Sequence, residues 1–306
     1  MTSPPANAET AANPPKLRRI VSLVLERGGP LVVLAVVVAG FMLVEPTFRK
    51  ASNFENIGRQ MAVVAILAVG ETFVIIAGGI DLSVGAIVAL SGVLAALTMR
   101  SDAMPPHLAL PAGIAVGLGT GLFVGLLSGT IIEVARIPSF VVTLGMLGVC
   151  TGVAKIVSGG QGVSGLPRGI DWLAAHRIPI AEGFGIPMAV VVTLALIGLA
   201  HVVISRSRFG RAVYALGGNR EAARLSGIPV KRVSVMTFVI SGGLAGLAGL
   251  VALSRMGSGQ PTAGQGYELN AVAAAVIGGT SLMGGEGSIL GSFVGALIMA
   301  VIATGL

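Results

Sequence analysis

Long apolar runs, broken by short polar stretches, organise the chain from its first third to its end. A run of about 20 residues with few charges predicts a helix that crosses a bilayer. Nine such spans are expected. They cover Pro30–Val44, lengthened where amphipathic residues from Ile20 join it, then Ile57–Ile80, Leu82–Met99, Leu108–Val134, Ser139–Val157, Ile186–Ser205, Val233–Leu253 and Leu269–Met283, with the ninth running from Ser288 to the end. A transmembrane β-barrel would alternate polar and apolar residues in segments of about ten, which is not the pattern here. The expected fold is all-α: a polytopic helical membrane protein in the lipid bilayer, with a tail over residues 1–28 and one transmembrane domain over 29–306.

Glycine is patterned within the apolar runs. Gly113, Gly117, Gly121, Gly125 and Gly129 recur every four residues in the fourth span, and Gly287, Gly291 and Gly295 repeat the device in the ninth. In lipid no hydrophobic drive holds helices together, so a smooth face that admits close backbone approach serves helix packing. Composition agrees: 54% of residues are hydrophobic, only 11% are charged and the mean hydropathy is +0.92, too little charge for a soluble surface.

The net charge of +7 then reads as a topological signal and not as a nucleic-acid footprint. Lys16, Arg18, Arg19 and Arg27 sit in the tail. The polar island Arg206–Arg232 holds seven Lys and Arg against Glu221 alone. Six spans separate the two clusters, an even number, so both lie on one side, and the positive-inside rule makes that side the cytoplasm. The tail lacks the order of charge, apolar core and cleavage site of a signal peptide. The loop 159–185, with Trp172, is then external. Cys150 stands alone and His107, His176 and His201 are scattered, so no metal or cofactor site is expected.

Two glycine-broken stretches stand out, Ala77–Ala86 and Ile277–Gly287. They align with Gly78 against Gly278, a pattern that in two halves of a transporter marks an internal repeat and its pathway. Glu71, Asp81, Ser83, Thr280 and Ser281 are the candidate pathway residues. Asp81 also suits an N-cap of the third span, whereas Glu71 lies mid-span and must face the bundle interior or a water-filled cavity. Inside the basic island, Asn219–Gly227 reads as a short helix, with Asn219 as N-cap, Ala222 and Ala223 as helix formers and Gly227 as the stop before Pro229. No catalytic motif is present and no lysine has a phosphate-loop context, so an energy source must come from a partner or an ion gradient.

Four stretches together carry a resemblance: GGIDLSVGAIVALSG (Gly78–Gly92), VVTLGML (Val141–Leu147), the segment Gly210–Ile228 that ends in ALGGNREAARLSGI, and QPTAGQGYELNAVAAAVIGGTSLMGGEGSILG (Gln260–Gly291). The chain resembles the permease subunits of ribose-type (monosaccharide) importers of the ATP-binding-cassette class, a family shared with branched-chain amino-acid permeases. The resemblance implies a bacterial inner-membrane protein with a second permease copy, as homodimer or pseudodimer. It also implies cytoplasmic ATPase subunits and an extracytoplasmic sugar-binding protein. Asn219, Glu221, Ala222, Ala223 and Gly227 match the helix that couples such permeases to the ATPase. Family members commonly have about ten spans. A chain of nine is therefore expected to be shortened, or the count is one short. The alternatives left open are an ion-coupled secondary transporter or channel using Glu71 and Asp81, and a permease of this class for another small solute such as a branched-chain amino acid.

Overall fold

The computed structural model describes residues 16–100, 105–181 and 184–305. Most of the expected tail, residues 1–15, lies outside them. The remainder of it is helical, because α1 (Lys16–Val44) starts well before the first apolar run. A 3-10 turn, Pro46–Arg49, is opened by Glu45, which accepts from Thr47 N at 3.2 Å. There follow α2 (Ala51–Ile76), α3 (Val84–Arg100), α4 (Pro106–Ala135) and α5 (Ser139–Ser158). The long loop after α5 is ordered into a one-turn α6 (Trp172–Ala175) and a hairpin of β1 (Arg177–Ala181) and β2 (Phe184–Pro187), with Ile178 opposite Ile186. Then come α7 (Met188–Arg206), α8 (Arg208–Gly218), α9 (Arg220–Leu225), α10 (Val230–Met256), α11 (Tyr267–Ile277) and α12 (Ile289–Gly305).

Among the described residues, nine apolar helices occupy the nine expected spans. Five are long enough to cross a bilayer unaided: α2, α4, α5, α7 and α10. The others, Gly28–Val44, α3, α11 and α12, have 11 to 17 residues. Two boundaries differ from expectation. α2 stops at Ile76, four residues early, and α11 stops at Ile277, well short of Met283. The cause is the same: Gly78 (φ 86°) and Gly279 (φ 90°) take left-handed backbone that only glycine adopts cheaply, and each ends its helix.

α2 is the axis of the molecule. Every residue from Met61 to Ile76 is buried, walled in by α10, α12, α11 and α7. α3 is nearly as enclosed, between α4, α10 and α5, with Ser83–Val93 buried. A helix apolar all round belongs inside a bundle, and these two show it. The glycines set the spacing. On α4, a Cβ at Gly121 would strike the carbonyl oxygen of Gly242 and one at Gly125 that of Phe238, so α4 and α10 touch backbone to backbone. Gly113 and Gly117 make room for Met99 and Leu250, and Gly129 for Val235. On α12, Gly291 and Gly295 lie against the backbone of Gly278 and Ala274. Gly287 precedes the helix, at φ 154°, and faces Thr280 instead of extending the stripe.

The bundle has two differently built ends. At one, β1–β2 is tied to α2 by Glu55, which accepts from Arg177 Nη1 at 2.8 Å and Gly185 N at 3.1 Å. Val163 and Gly259 exchange backbone bonds there. At the other end lie α8, α9, the α4–α5 corner and both glycine breaks.

Candidate cytoplasmic coupling element and the polar node beneath it

The basic island folds as two short helices. Ser207 accepts from Gly210 N at 2.9 Å and caps α8, which buries Gly210, Val213 and Leu216 and turns Arg208 and Arg211 outward. Asn219 Oδ1 accepts from Ala222 N at 2.9 Å and starts α9. Gly227 (φ 81°) ends it, donating to Arg224 O while Ile228 N reaches Ala223 O. Ala223 is the one buried residue of α9; Glu221, Ala222 and Leu225 face outward, with Leu225 74% exposed. Glu221 pairs with Arg224, and that hydrogen bond holds the Glu221 carboxyl below its ordinary range.

What fixes α9 to the bundle is Arg220. Its guanidinium bonds Glu133 Oε2, in the last turn of α4. The Glu133 side chain is 5% exposed and its Oε1 has no partner among the described residues. The pair closes one side of a cavity of about 520 Å³, lined also by Gly78, Arg136, Ser139 and Lys231. Arg136 turns the α4–α5 corner at φ 56°. The cavity thus joins the island to the first glycine break. Sequence reading missed Glu133 and Arg136. The signal available was two charged residues at a span boundary, which are indistinguishable by themselves from topological charge.

Glu71, Asp81 and Ser83 come together, and all are fully buried. Asp81 Oδ1 accepts from Ser83 N at 3.0 Å and from Ser83 Oγ; Oδ2 accepts from Ser241 Oγ of α10 at 2.9 Å. Asp81 N donates to Glu71 Oε1 at 3.0 Å. Ser139 and Thr143 of α5 accept from Ile80 N and Leu82 N at 3.0 and 3.1 Å. Asp81 therefore caps α3 and also binds a second helix: it is a packing node that ties α2, α3 and α10 together. Thr280 and Ser281 stand apart from it. Thr280 is buried beside Ser292, whose hydroxyl also accepts from Thr72 at 2.7 Å. Ser281 accepts from Met283 N within the second break.

The profile of the family described as branched-chain amino acid transport system / permease component matches residues 53–306. The chain is 40% identical over 271 residues to the ribose import permease protein of Haemophilus influenzae, covering 88% of this chain and 81% of that one. It is 37% identical over 287 residues to the D-allose transport system permease protein of Escherichia coli K12 (93% and 85% covered). To the xylose transport system permease protein of the same strain it is 34% identical over 331 aligned positions (90% and 83% covered). No solved structure matches the chain.

Proposed function

The chain belongs to the family of branched-chain amino acid transport system / permease components, and on that premise we propose that it is the membrane-spanning permease of an ATP-binding-cassette importer for a monosaccharide. The observation that carries the sugar is the set of relatives named for ribose, D-allose and xylose, each aligned over most of this chain. The island end is the cytoplasmic end, as the basic excess of Arg206–Arg232 favours. The opposite end, with β1–β2, faces the sugar-binding protein. A second permease copy completes the transport path.

In this reading α9 is the handle that the ATPase moves. Its outward Leu225, Ala222 and Glu221 form the contact. Its inward Ala223 seats it, and Asn219 and Gly227 keep it a separate rigid unit. The Arg220–Glu133 pair carries the push to the α4–α5 corner, from which α5 leads to the first break through Ser139 and Thr143. Alternating access then follows from movement of α5 against a fixed α2–α3 node, with ATP hydrolysis as the source of energy.

Reconstitution tests both levels. Proteoliposomes holding this chain, its ATPase and its binding protein take up labelled ribose, xylose or allose only with ATP and all parts present. Uptake by the chain alone under a proton or sodium gradient would overturn the reading. Arg220→Ala, at a half-exposed position, leaves the assembly intact and lowers sugar-stimulated ATP hydrolysis several-fold, in line with a lost charge-assisted bond of about 1.5–3 kcal/mol. Full stimulation in that variant would remove the Arg220–Glu133 pair from the coupling route.

A further inference from the structure

Between Met256 and Tyr267 the backbone does something the span pattern does not announce. After α10 ends, Gly259 lies against Gly92 and Ala96 of α3, and Gly264 lies against the Gly85 carbonyl. Gly92 and Gly85 are seven residues apart on one helix, so the segment descends about 10 Å along α3 at about 1.5 Å per residue. It does so without helical structure. α11, with 11 residues, starts only at that depth and is too short to cross a bilayer alone. Irregular backbone at membrane depth is tolerated where it is buried in protein or lines a water-filled cavity.

A cavity of about 230 Å³ sits at the tip of this re-entrant segment. Its floor is α3, where Gly85, Ala86 and Ala89 leave space. Its walls carry Thr151 and Lys155 of α5, Thr262 and Gln265 of the re-entrant segment, and Glu268 of α11. Among the described residues, the side chains of Thr151, Lys155, Thr262 and Gln265 make no hydrogen bond to protein, whereas Thr143, two stripe positions before Thr151 on α5, bonds back to Ser139 O at 3.0 Å. Glu268 spends one oxygen on Gly266 N at 3.2 Å, and the other lies against the first turn of α3 at Gly85, where negative charge is favoured.

We propose that this cavity is a binding station for one monosaccharide on its way through the permease, held by Thr151, Lys155, Thr262, Gln265 and Glu268. The inference rests on the importer reading and deepens it. Two hydroxyls and an amide supply both donors and acceptors for sugar hydroxyls. Lys155 and Glu268 cancel in charge, so the site favours a neutral polar solute. Its volume of about 230 Å³ leaves room for one pentose or hexose. Leu147, Thr151 and Lys155 follow at four-residue intervals the Ser139 and Thr143 that bind the first break, so the same stripe of α5 touches both the sugar and the node.

The test uses the complete importer in proteoliposomes, with wild-type uptake of labelled ribose, xylose and allose as reference. Thr262 and Gln265 are exposed, so their substitution leaves folding alone. Thr262→Ala and Gln265→Ala each lower uptake, or change its ratio among the three sugars, by about fivefold, the worth of one hydrogen bond. Thr262→Cys in a Cys150→Ala chain reacts with a membrane-impermeant methanethiosulfonate, and ribose delivered by the binding protein slows that reaction. Unchanged uptake and unchanged sugar ratios in both alanine variants overturn the station while the importer reading stands. Protection of the thiol by leucine and not by ribose overturns it in favour of a zwitterion. Failure of the wild-type assembly to take up any sugar strikes the importer reading itself.

Discussion

The two glycine breaks are built on one plan and end in different environments. α2 and α11 run toward the same end of the bundle, and both stop with the same pair of bonds. Gly78 N reaches Ile75 O and Gly79 N reaches Val74 O; Gly279 N reaches Val276 O and Thr280 N reaches Ala275 O. The correspondence is therefore Gly78 with Gly279, one residue off the alignment that sequence identity suggests. After this cap the two diverge. The first break is seven residues long, and Asp81 and Ser83 are wholly buried in a net of side-chain bonds from α5 and α10. The second is eleven residues long and exposes Leu282 at 52% and Met283 at 88%. It leans on its neighbours through Gly285 N to Ile76 O at 2.9 Å and Tyr214 Oη to Gly287 O at 2.7 Å. The same helix stop thus serves once as a buried anchor and once as a surface loop resting on that anchor and on α8.

The largest expected difference is at the polar residues. Asp81→Ala strands Ser83 N, Ser83 Oγ and Ser241 Oγ in the interior and costs on the order of 3 kcal/mol or more, while Ser281→Ala costs under about 1 kcal/mol. Thermal denaturation in detergent reads both, and equal losses would erase the distinction between anchor and loop. Next comes the residue on which the breaks meet. A Cβ at Gly217 would strike Ile76 O and Gly285 N, whereas at Gly218 it meets nothing. Gly217→Ala should destabilise by about 1–3 kcal/mol, against no loss or a gain for Gly218→Ala at the end of a helix. A benign Gly217→Ala would mean that the breaks do not seat on α8. The smallest effect tests the shared plan. Gly78→Ala and Gly279→Ala each force alanine into left-handed backbone with little steric contact, so each costs about 1–2 kcal/mol, and the two costs agree closely. Unequal costs would show that the caps only look alike.

The apolar pattern by itself determined that this chain is a helical membrane protein, how many apolar helices it has and nearly where they lie, because lipid leaves backbone polar groups no partner but the helix itself. It also determined the capped unit Asn219–Gly227, since cap chemistry is local: Asn219, Ala222 and Gly227 need only one another. The glycine stripe of α4 was legible for the same reason, as a four-residue repeat lays one face of one helix bare. Which surface that face would meet was not legible, and α10 was settled by packing. Tertiary structure alone decided the rest. Asp81 reads locally as a cap or a pathway residue, and nothing near it in the chain announces that Ser241, 160 positions away, donates to its second oxygen. Glu133 and Arg220 are two unremarked charges until α9 folds back onto the end of α4. Leu269–Ile277 reads as part of a span that continues to Met283 until the chain before it re-enters along α3 and opens a cavity there. Each of these depends on contact between residues far apart in the chain, and local propensity holds no information about which distant surface will be next to it.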